Sequence, residues 1–355
     1  MLGIGKGEQR IISANMNAST PGMAVFQFAN KLDIQDPGRV IFAGHSFGAA
    51  TIVQLVKSTY YADRPEIANM KNPLFTPAKD SGIRKQITEK NPIILLDMWC
   101  FPLISATAAP LYNLPLPAYD DIPSAPGGDA ILAVESQQFF KWRDHLHAKA
   151  RILSPEPSQR VVSSSSFERP NSGIRLSEPN FFYVENSAHL SQSDFGILFP
   201  WLTKRVFGAE NPERCLRLNL RAQLQLLRNN GYHVARTWSG DIVDGTDTPK
   251  QEVAEEDIRG VNDGVTDDKI ILDRGSGSKG PVDAWKWIDI VGLGAESAPS
   301  EIELIQKTRT RSEEQRAEEG EREMEGEMEP ALDDSTPEVV KKEVAAAAGA
   351  VGTTS

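Results

Sequence analysis

Residues 40–51 read VIFAGHSFGAAT and contain the clearest structural pattern in the chain. The apolar run 40–42 predicts a buried strand, and residues 49–56 have the spacing of a helix that begins with small residues. The pentapeptide between them, residues 44–48, has the form G-x-S-x-G, in which a serine occupies a sharp turn from strand to helix. Small residues are needed there because a Cβ atom would collide with the neighbouring strand and helix. The pattern therefore predicts that Ser46 is a nucleophile.

Further strands and helices follow in alternation. Buried strands are predicted at residues 92–96, 130–134 and 181–184, and helices at 136–147, 195–207 and 215–231. Residues 102–126 are proline-rich and are typical of a lid or a connection. Strands that alternate with helices indicate an α/β fold, here a mainly parallel, α/β-hydrolase-like sheet with flanking helices.

The composition divides the chain into four stretches. Residues 1–22 are a loose lead-in, and residues 23–235 are the α/β-hydrolase domain. Residues 236–294 form an irregular extension, and residues 295–355 form an acidic, low-complexity tail that is predicted to be disordered. Within the extension, residues 285–291 (WKWIDIV) are an apolar island. The sequence leaves two interpretations of the island open: a peripheral membrane anchor, or a segment that packs on the hydrolase core.

Charge and cysteine content exclude several classes of protein. The 355 residues have a formal net charge of −11, which argues against a nucleic-acid partner. The two cysteines, Cys100 and Cys215, provide neither a disulfide framework nor a metal-ligand cluster. No apolar run reaches the roughly 18 residues of a membrane span, and no signal peptide is recognisable. We expect a cytoplasmic protein, with peripheral membrane contact as the open alternative.

A serine nucleophile needs a histidine base and an acid that orients it, and in α/β-hydrolases these follow in the order Ser, acid, His. Asp97 ends the predicted strand 92–96, and His189 follows strand 181–184 after a short polar loop. Both therefore lie where the carboxyl ends of parallel strands meet. The predicted triad is Ser46, Asp97 and His189, and the backbone N–H of Phe47 is the predicted oxyanion donor.

Other residues compete for these roles. Glu135 follows the strand 130–134 and remains a rival to Asp97 as the acid. Among the other histidines, His45 is expected to line the site or to pack beside it. His145 and His147 are expected on a solvated helix face. For Asp97 and His189 themselves, the alternatives are an ordinary strand-ending turn and a surface-loop histidine.

Four segments carry a resemblance to a known family. GHSFGAAT at 44–51, LLDMWCFPL at 95–103, AVESQQFF at 133–140 and NSAHLSQSDF at 186–195 resemble the platelet-activating factor acetylhydrolase family of phospholipases. The resemblance covers roughly residues 23–231. It implies an α/β-hydrolase fold and a Ser-Asp-His triad at Ser46, Asp97 and His189. It also implies that Trp99, Phe101 and Leu103 line the acyl pocket, with core packing as the alternative for each.

The expected activity follows from the triad and the resemblance together. We expect a serine carboxylic ester hydrolase that removes an acetyl or other short sn-2 acyl group from a phospholipid such as platelet-activating factor. Calcium, other metals and organic cofactors are not expected to be required, and the sequence does not specify an oligomeric state. The alternatives are a generic carboxylesterase, lipase or acyltransferase, and a catalytically impaired module that binds partners through its acidic tail.

The region before the serine departs from the family pattern. Family members carry a long region there, with the first strands and a glycine-rich loop that supplies a second oxyanion donor. Only 45 residues precede Ser46 here, and no such loop is recognisable in them. The sequence therefore predicts the C-terminal part of the family fold, either as an N-terminally truncated chain or as a reduced enzyme. Loss of one oxyanion donor typically costs about 100- to 1,000-fold in rate.

Overall fold

The structure is a computed structural model that describes residues 36–209, 211–234, 271–272, 274 and 284–294. The predicted lead-in 1–22 and the predicted tail 295–355 lie outside these ranges, as does most of the extension 236–294.

A five-stranded sheet in the order β1-β2-β3-β4-β5 forms the centre of the described structure. The first four strands are parallel, and β5 pairs with β4 in the antiparallel sense. The strands are β1 Phe42–His45, β2 Ile93–Leu96, β3 Ile131–Ser136, β4 Asn180–Val184 and β5 Trp285–Trp287. The predicted α/β fold with a mainly parallel sheet is therefore confirmed. The parallel order places the residues that follow β1 to β4 along one edge of the sheet.

Short and medium helices connect the strands. They are α1 Phe47–Tyr60, α2 Pro65–Ala68, α3 Gly82–Gln86, α4 Phe101–Ile104, α5 Ala109–Tyr112, α6 Gln137–Lys141, α7 Arg143–Ile152, α8 Phe195–Leu198, α9 Pro200–Phe207 and α10 Pro212–Asn229.

Two predicted helices are interrupted. The one at 195–207 breaks at Phe199, because Pro200 disfavours a helical conformation in the residue before it. The one at 136–147 breaks at Trp142, whose ψ of 90° lies outside the helical region.

The proline-rich stretch 102–126 packs on the domain. It contains α4, α5 and a 3₁₀ turn at Pro117–Tyr119. Its larger side chains are buried, with Leu111 and Leu116 no more than 1% exposed. Of the two interpretations offered by the sequence, the structure supports a packed connection.

The apolar island at 285–291 belongs to the core. Trp285 is 1% exposed, stacks on Phe182 with ring centroids 4.9 Å apart, and donates its indole N–H to the Ile271 carbonyl. It joins the cluster that α10 forms with the sheet, while Ile288 and Ile290 are buried as well. Of the two interpretations, the structure therefore supports packing on the hydrolase core for these side chains, because burial removes them from solvent.

Within the described ranges, every helix is too short or too polar to traverse a lipid bilayer.

Candidate active site

Ser46 occupies the turn between β1 and α1 in a conformation that side-chain-bearing residues rarely adopt. Its φ is 57° and its ψ is −125°. Hydrogen bonds from both sides hold this backbone. The Ser46 N–H donates to the Leu96 carbonyl at 2.9 Å, and the Ser46 carbonyl accepts from the Trp99 N–H at 3.1 Å. The strained turn is therefore tied to the end of β2, which presents the hydroxyl at the carboxyl edge of the sheet.

The two glycines of the motif are not equivalent. A Cβ atom on Gly44 would lie 2.6 Å from the backbone of Gly48 and of Ala49, so only glycine fits. Apart from its chain neighbours and the adjacent backbone of α1, no described atom lies within 4 Å of a Cβ built on Gly48. The expected steric requirement holds on the strand side of Ser46 and is not seen on the helix side. Ala49 and Ala50 are buried, as expected for the helix start that packs closely behind the turn.

Asp97 directly follows β2 and is fully buried. Its φ of 41° is again in the left-handed region, and its N–H donates to the Val134 carbonyl at 2.8 Å. One carboxylate oxygen, Oδ1, accepts from the Ser136 N–H. The other, Oδ2, lies 3.1 Å from His189 Nδ1. The end of β3 therefore fixes the carboxylate, and its free oxygen faces the imidazole.

His189 completes a continuous chain of hydrogen-bonding atoms. Its Nε2 lies 2.9 Å from Ser46 Oγ, and its Nδ1 faces Asp97. The loop before it is attached to the start of α6, since the Asn186 N–H donates to Gln137 Oε1 and the His189 N–H donates to Gln138 Oε1. The structure thus brings together the three side chains that the sequence predicted as a triad.

Two rings enclose the His189 imidazole. The His45 ring stacks on one side at 4.5 Å between centroids, and the Phe139 ring stacks nearly parallel at 4.6 Å. Burial lowers the pKa of His45, and the positive charge that His189 can acquire lowers it further. The lowered pKa favours the neutral form of His45, and its ring packs against His189, which agrees with the expectation that His45 lines the site or packs beside it.

Glu135, the rival acid, contacts a different partner. Its carboxylate pairs with the Lys149 ammonium, and both side chains are essentially unexposed. Burial raises the pKa of Glu135, and the neighbouring Asp97 carboxylate adds to this while Lys149 opposes it. The geometry brings Asp97, and not Glu135, to the imidazole.

Aromatic side chains extend from the serine along the sheet edge. Phe47, 54% exposed, lies 6.2 Å from the Trp99 ring, and Trp99 lies 6.2 Å from Phe101. Both Trp99 and Phe101 are partly exposed, whereas Leu103 is buried. Two of the three predicted pocket residues, Trp99 and Phe101, are therefore partly exposed, and Trp99 is hydrogen-bonded to the Ser46 backbone, whereas Leu103 is part of the core.

His145 does not lie on a solvated face as expected. It is fully buried, its ring stands edge-on to Phe101, and its Nδ1 is 3.6 Å from Cys100 Sγ. The helix break at Trp142 turns this side of α7 inward. Cys100 and Cys215 are both buried free thiols.

His45, Asp97 and His189 are also the one group among the described residues that could approach a metal ion. Their ligand atoms lie within 4.8 Å of one another. Asp97 and His189 already form the hydrogen-bonded chain with Ser46, and these hydrogen bonds explain why their ligand atoms lie close together.

Sequence reasoning missed the groups that support the imidazole. Phe139, Gln137 and Gln138 lie in a segment that carries the family resemblance, but the sequence does not show that they contact His189 or the loop before it. Their position just after the third strand is a signal for this contact, because residues that follow this strand lie at the same sheet edge as Ser46 and Asp97. Lys149 lies 14 residues after Glu135 in the chain, and the sequence around it does not indicate that the two side chains form a pair.

The described residues define an α/β protein whose mainly parallel sheet carries a hydrogen-bonded Ser-His-Asp chain at its carboxyl edge. No family model and no solved structure matches the chain. Over 197 residues it is 26% identical to a Schizosaccharomyces pombe (strain 972) protein named "Putative phospholipase A2", an alignment that covers 54% of this chain and 37% of that protein. The chain thus spans little more than a third of that relative. This likeness points to a lipase-like relationship and does not single out the platelet-activating factor acetylhydrolase family.

Proposed function

We propose that the chain is a serine carboxylic ester hydrolase that removes an acetyl or other short sn-2 acyl group from a phospholipid such as platelet-activating factor, without calcium. The observation that carries the proposal is the chain from Ser46 Oγ through His189 to Asp97, with distances of 2.9 and 3.1 Å. The strained backbone of Ser46 supports it, because such strain is typical of functional turns. The name of the fission-yeast relative supports the lipid substrate.

The proposed reaction runs in two halves. Ser46 Oγ attacks the ester carbonyl, and His189 Nε2 accepts the hydroxyl proton. When the tetrahedral intermediate collapses, that proton passes to the departing glycerol oxygen, and the acyl group remains on Ser46. A water molecule, deprotonated by His189, then hydrolyses the acyl-enzyme and restores the serine.

Asp97 and Phe47 would stabilise the charges that develop. The Asp97 carboxylate holds the proton on Nδ1, so that Nε2 is free to act as base, and it stabilises the imidazolium. The Phe47 N–H lies at the first position of α1, where a helical N–H has no acceptor within the helix. It is therefore the proposed donor to the oxyanion.

The aromatic surface beside Ser46 is the proposed acyl site. Trp99 and Phe101 offer partly exposed rings next to the nucleophile, and the exposed Phe47 ring continues this surface. Leu103 is proposed to back the pocket from the buried side. An apolar site of this kind favours an acyl chain over a charged group.

The proposal is tested by labelling and by hydrolysis. A fluorophosphonate probe should label the purified full chain, and Ser46→Ala should abolish both labelling and ester hydrolysis. Ser58→Ala, which removes a buried hydroxyl elsewhere on α1, is the matched control and should retain both. Absence of labelling in the unaltered chain, or hydrolysis by Ser46→Ala protein, would show that Ser46 is not an activated nucleophile.

A substrate panel separates this function from a generic esterase. We expect faster hydrolysis of sn-2 acetyl phospholipid than of the sn-2 palmitoyl analogue, and no change on addition of EGTA. Preference for a soluble p-nitrophenyl ester over both phospholipids would favour a generic carboxylesterase. Strict calcium dependence would contradict the mechanism.

A further inference from the structure

A second pair of buried charges lies behind the Ser-His-Asp chain. The side chains of Lys149 on α7 and Glu135 on β3 are 0% and 1% exposed, and they contact each other. Neither takes part in the steps described above. Replacing a buried ion pair by apolar residues is often neutral or stabilising, so stability alone is a weak reason for its presence.

Each member of this pair is connected to one member of the His189–Asp97 pair. Glu135 directly precedes Ser136, whose N–H donates to Asp97 Oδ1. Burial raises the pKa of Glu135, and the nearby Asp97 carboxylate raises it further. The Lys149 ammonium lies 4.9 Å from the centroid of the Phe139 ring, and that same ring stacks on His189 at 4.6 Å with only 9° between the planes. The Lys149 ammonium and the His189 imidazole thus share one aromatic neighbour.

Glu135 changes the net charge of the cluster before and after His189 takes up a proton. In the state with Lys149, Glu135 and Asp97 all ionised and His189 neutral, the cluster has a net charge of −1, which favours uptake of a proton by the imidazole. With His189 protonated, the two carboxylates balance the two cations. Without Glu135, the same two states would have charges of 0 and +1. Proton uptake would then create a net positive charge in a partly buried site, which is unfavourable.

We propose that Glu135 is a positioning residue whose carboxylate neutralises Lys149, so that Asp97 remains available to stabilise the His189 imidazolium. This inference rests on the proposed function of the Ser46 site. It assigns Glu135 a role through Lys149 and Asp97, without contact with substrate. It also explains why two acids lie at this edge of the sheet although one contacts the histidine.

Other ionisable groups surround the imidazole. His45 on β1 stacks on it, and His145 on α7 contacts the other side of the cluster through Phe139. On α10, Cys215 lies within electrostatic reach of both Asp97 and Arg214. The test therefore compares variants that leave all of these groups unchanged.

The test is a titration of His189 by NMR in the full chain, with ¹³C-labelled histidine and assignment by a His189→Gln variant. We expect Glu135→Gln to lower the pKa of His189 by about one unit or more, because Lys149 is then unpaired while His189 takes up its proton. Lys149→Met should not lower it, because Glu135, left without its cation, takes up a proton itself. The double variant, Glu135→Gln with Lys149→Met, restores the original charge sum and should return the pKa of His189 to within about 0.3 units of its original value.

The asymmetry of the two single variants is the critical result. Both remove the same ion pair, so a merely structural role would affect them alike. An unchanged His189 pKa in Glu135→Gln, or an equal fall in Lys149→Met, would overturn the proposal. Glu185→Gln, which removes a partly exposed carboxylate from the loop that precedes His189, is the control and should have little effect, because water screens that charge. If Glu135→Gln does not fold, the double variant decides: a lowered His189 pKa there also overturns the proposal.

The titration requires no substrate, so it separates this inference from the proposed function. If hydrolysis is observed, the acidic limb of the kcat/KM profile of Glu135→Gln should move to lower pH with the His189 pKa, and kcat should fall roughly 10- to 100-fold. If the unaltered chain neither hydrolyses esters nor labels with fluorophosphonate, the proposed function fails whatever the titration shows.

Discussion

Gly44 and Gly48 flank Ser46 symmetrically in the sequence and asymmetrically in space. A methyl group on Gly44 would meet the backbone at 2.6 Å, whereas the space around Gly48 is open among the described residues. Gly44→Ala should therefore displace the turn and lower kcat at least 100-fold, by analogy with the loss of a positioned catalytic group. Gly48→Ala should retain activity and stabilise α1 by about 0.5–1 kcal/mol.

Ester hydrolysis and urea unfolding of the two glycine variants, measured side by side, check this prediction. Equal losses of activity would show that the helix side of the turn is as crowded as the strand side.

Asp97 is the residue whose exchange separates the two acids most directly. Asp97→Asn keeps the shape of the side chain but favours the wrong imidazole tautomer, and it should lower kcat about 10⁴-fold. The decrease in kcat in Glu135→Gln should be at least about 100-fold smaller, because that side chain acts on His189 only through Lys149 and Asp97. Steady-state kinetics on both variants check the order, and a larger loss in Glu135→Gln would reverse the assignment of the acid.

At the scale of single elements, α1 contains a buried lysine whose amino group has no hydrogen-bond partner among the described residues. Lys57 is 1% exposed, and its ammonium has no hydrogen-bond partner among the described residues. Burial lowers the pKa of Lys57 to about 7. Because the folded state binds this proton less tightly than the unfolded chain, the free energy of unfolding should rise with pH between about 7 and 10.5.

Lys57→Met should remove this pH dependence and raise the free energy of unfolding at pH 7 by roughly 1–4 kcal/mol. The gain should shrink as the pH approaches 10.5, where the lysine is neutral in both states. Urea denaturation at pH 7 and pH 10 measures it. An equal gain at both pH values would indicate an effect of packing and not of charge.

The strands β2, β3 and β4 and the residues that follow them were predictable because their signals are local. By contrast, β1 runs over Phe42–His45 and overlaps the predicted 40–42 only at Phe42, and β5 lies in a segment predicted only as an apolar island. The apolar runs at 92–96 and 181–184 specify buried parallel strands, and the order of Ser46, Asp97 and His189 along the chain then places all three at one edge. The partners of these residues depend on distant contacts. The stacking of Phe139 on His189 and the pairing of Glu135 with Lys149 arise only once α6 and α7 bend apart at Trp142, a residue with no helix-breaking signal of its own.

At the scale of the whole molecule, the pairing of β5 with β4 joins a distant segment to the domain. Trp285 fills the space between β4 and α10, so Trp285→Ala should lower the free energy of unfolding by about 3–5 kcal/mol. Trp201→Ala, at an indole that is 56% exposed, should lower it by no more than about 0.5 kcal/mol. Chemical denaturation compares the two, and a small effect at Trp285 would mean that β5 contributes little to the core.

The position of β5 in the chain also governs how the sheet is completed during synthesis. Its partner strand β4 leaves the ribosome roughly a hundred residues earlier. At elongation rates of about 5–20 residues per second, the outer edge of β4 and the face that receives Trp285 stay uncovered for several seconds or more. An uncovered strand edge beside an apolar face readily pairs with other chains. The nascent protein therefore passes through a period in which Ser46, Asp97 and His189 are already synthesised while its sheet is still open to aggregation and to chaperone binding.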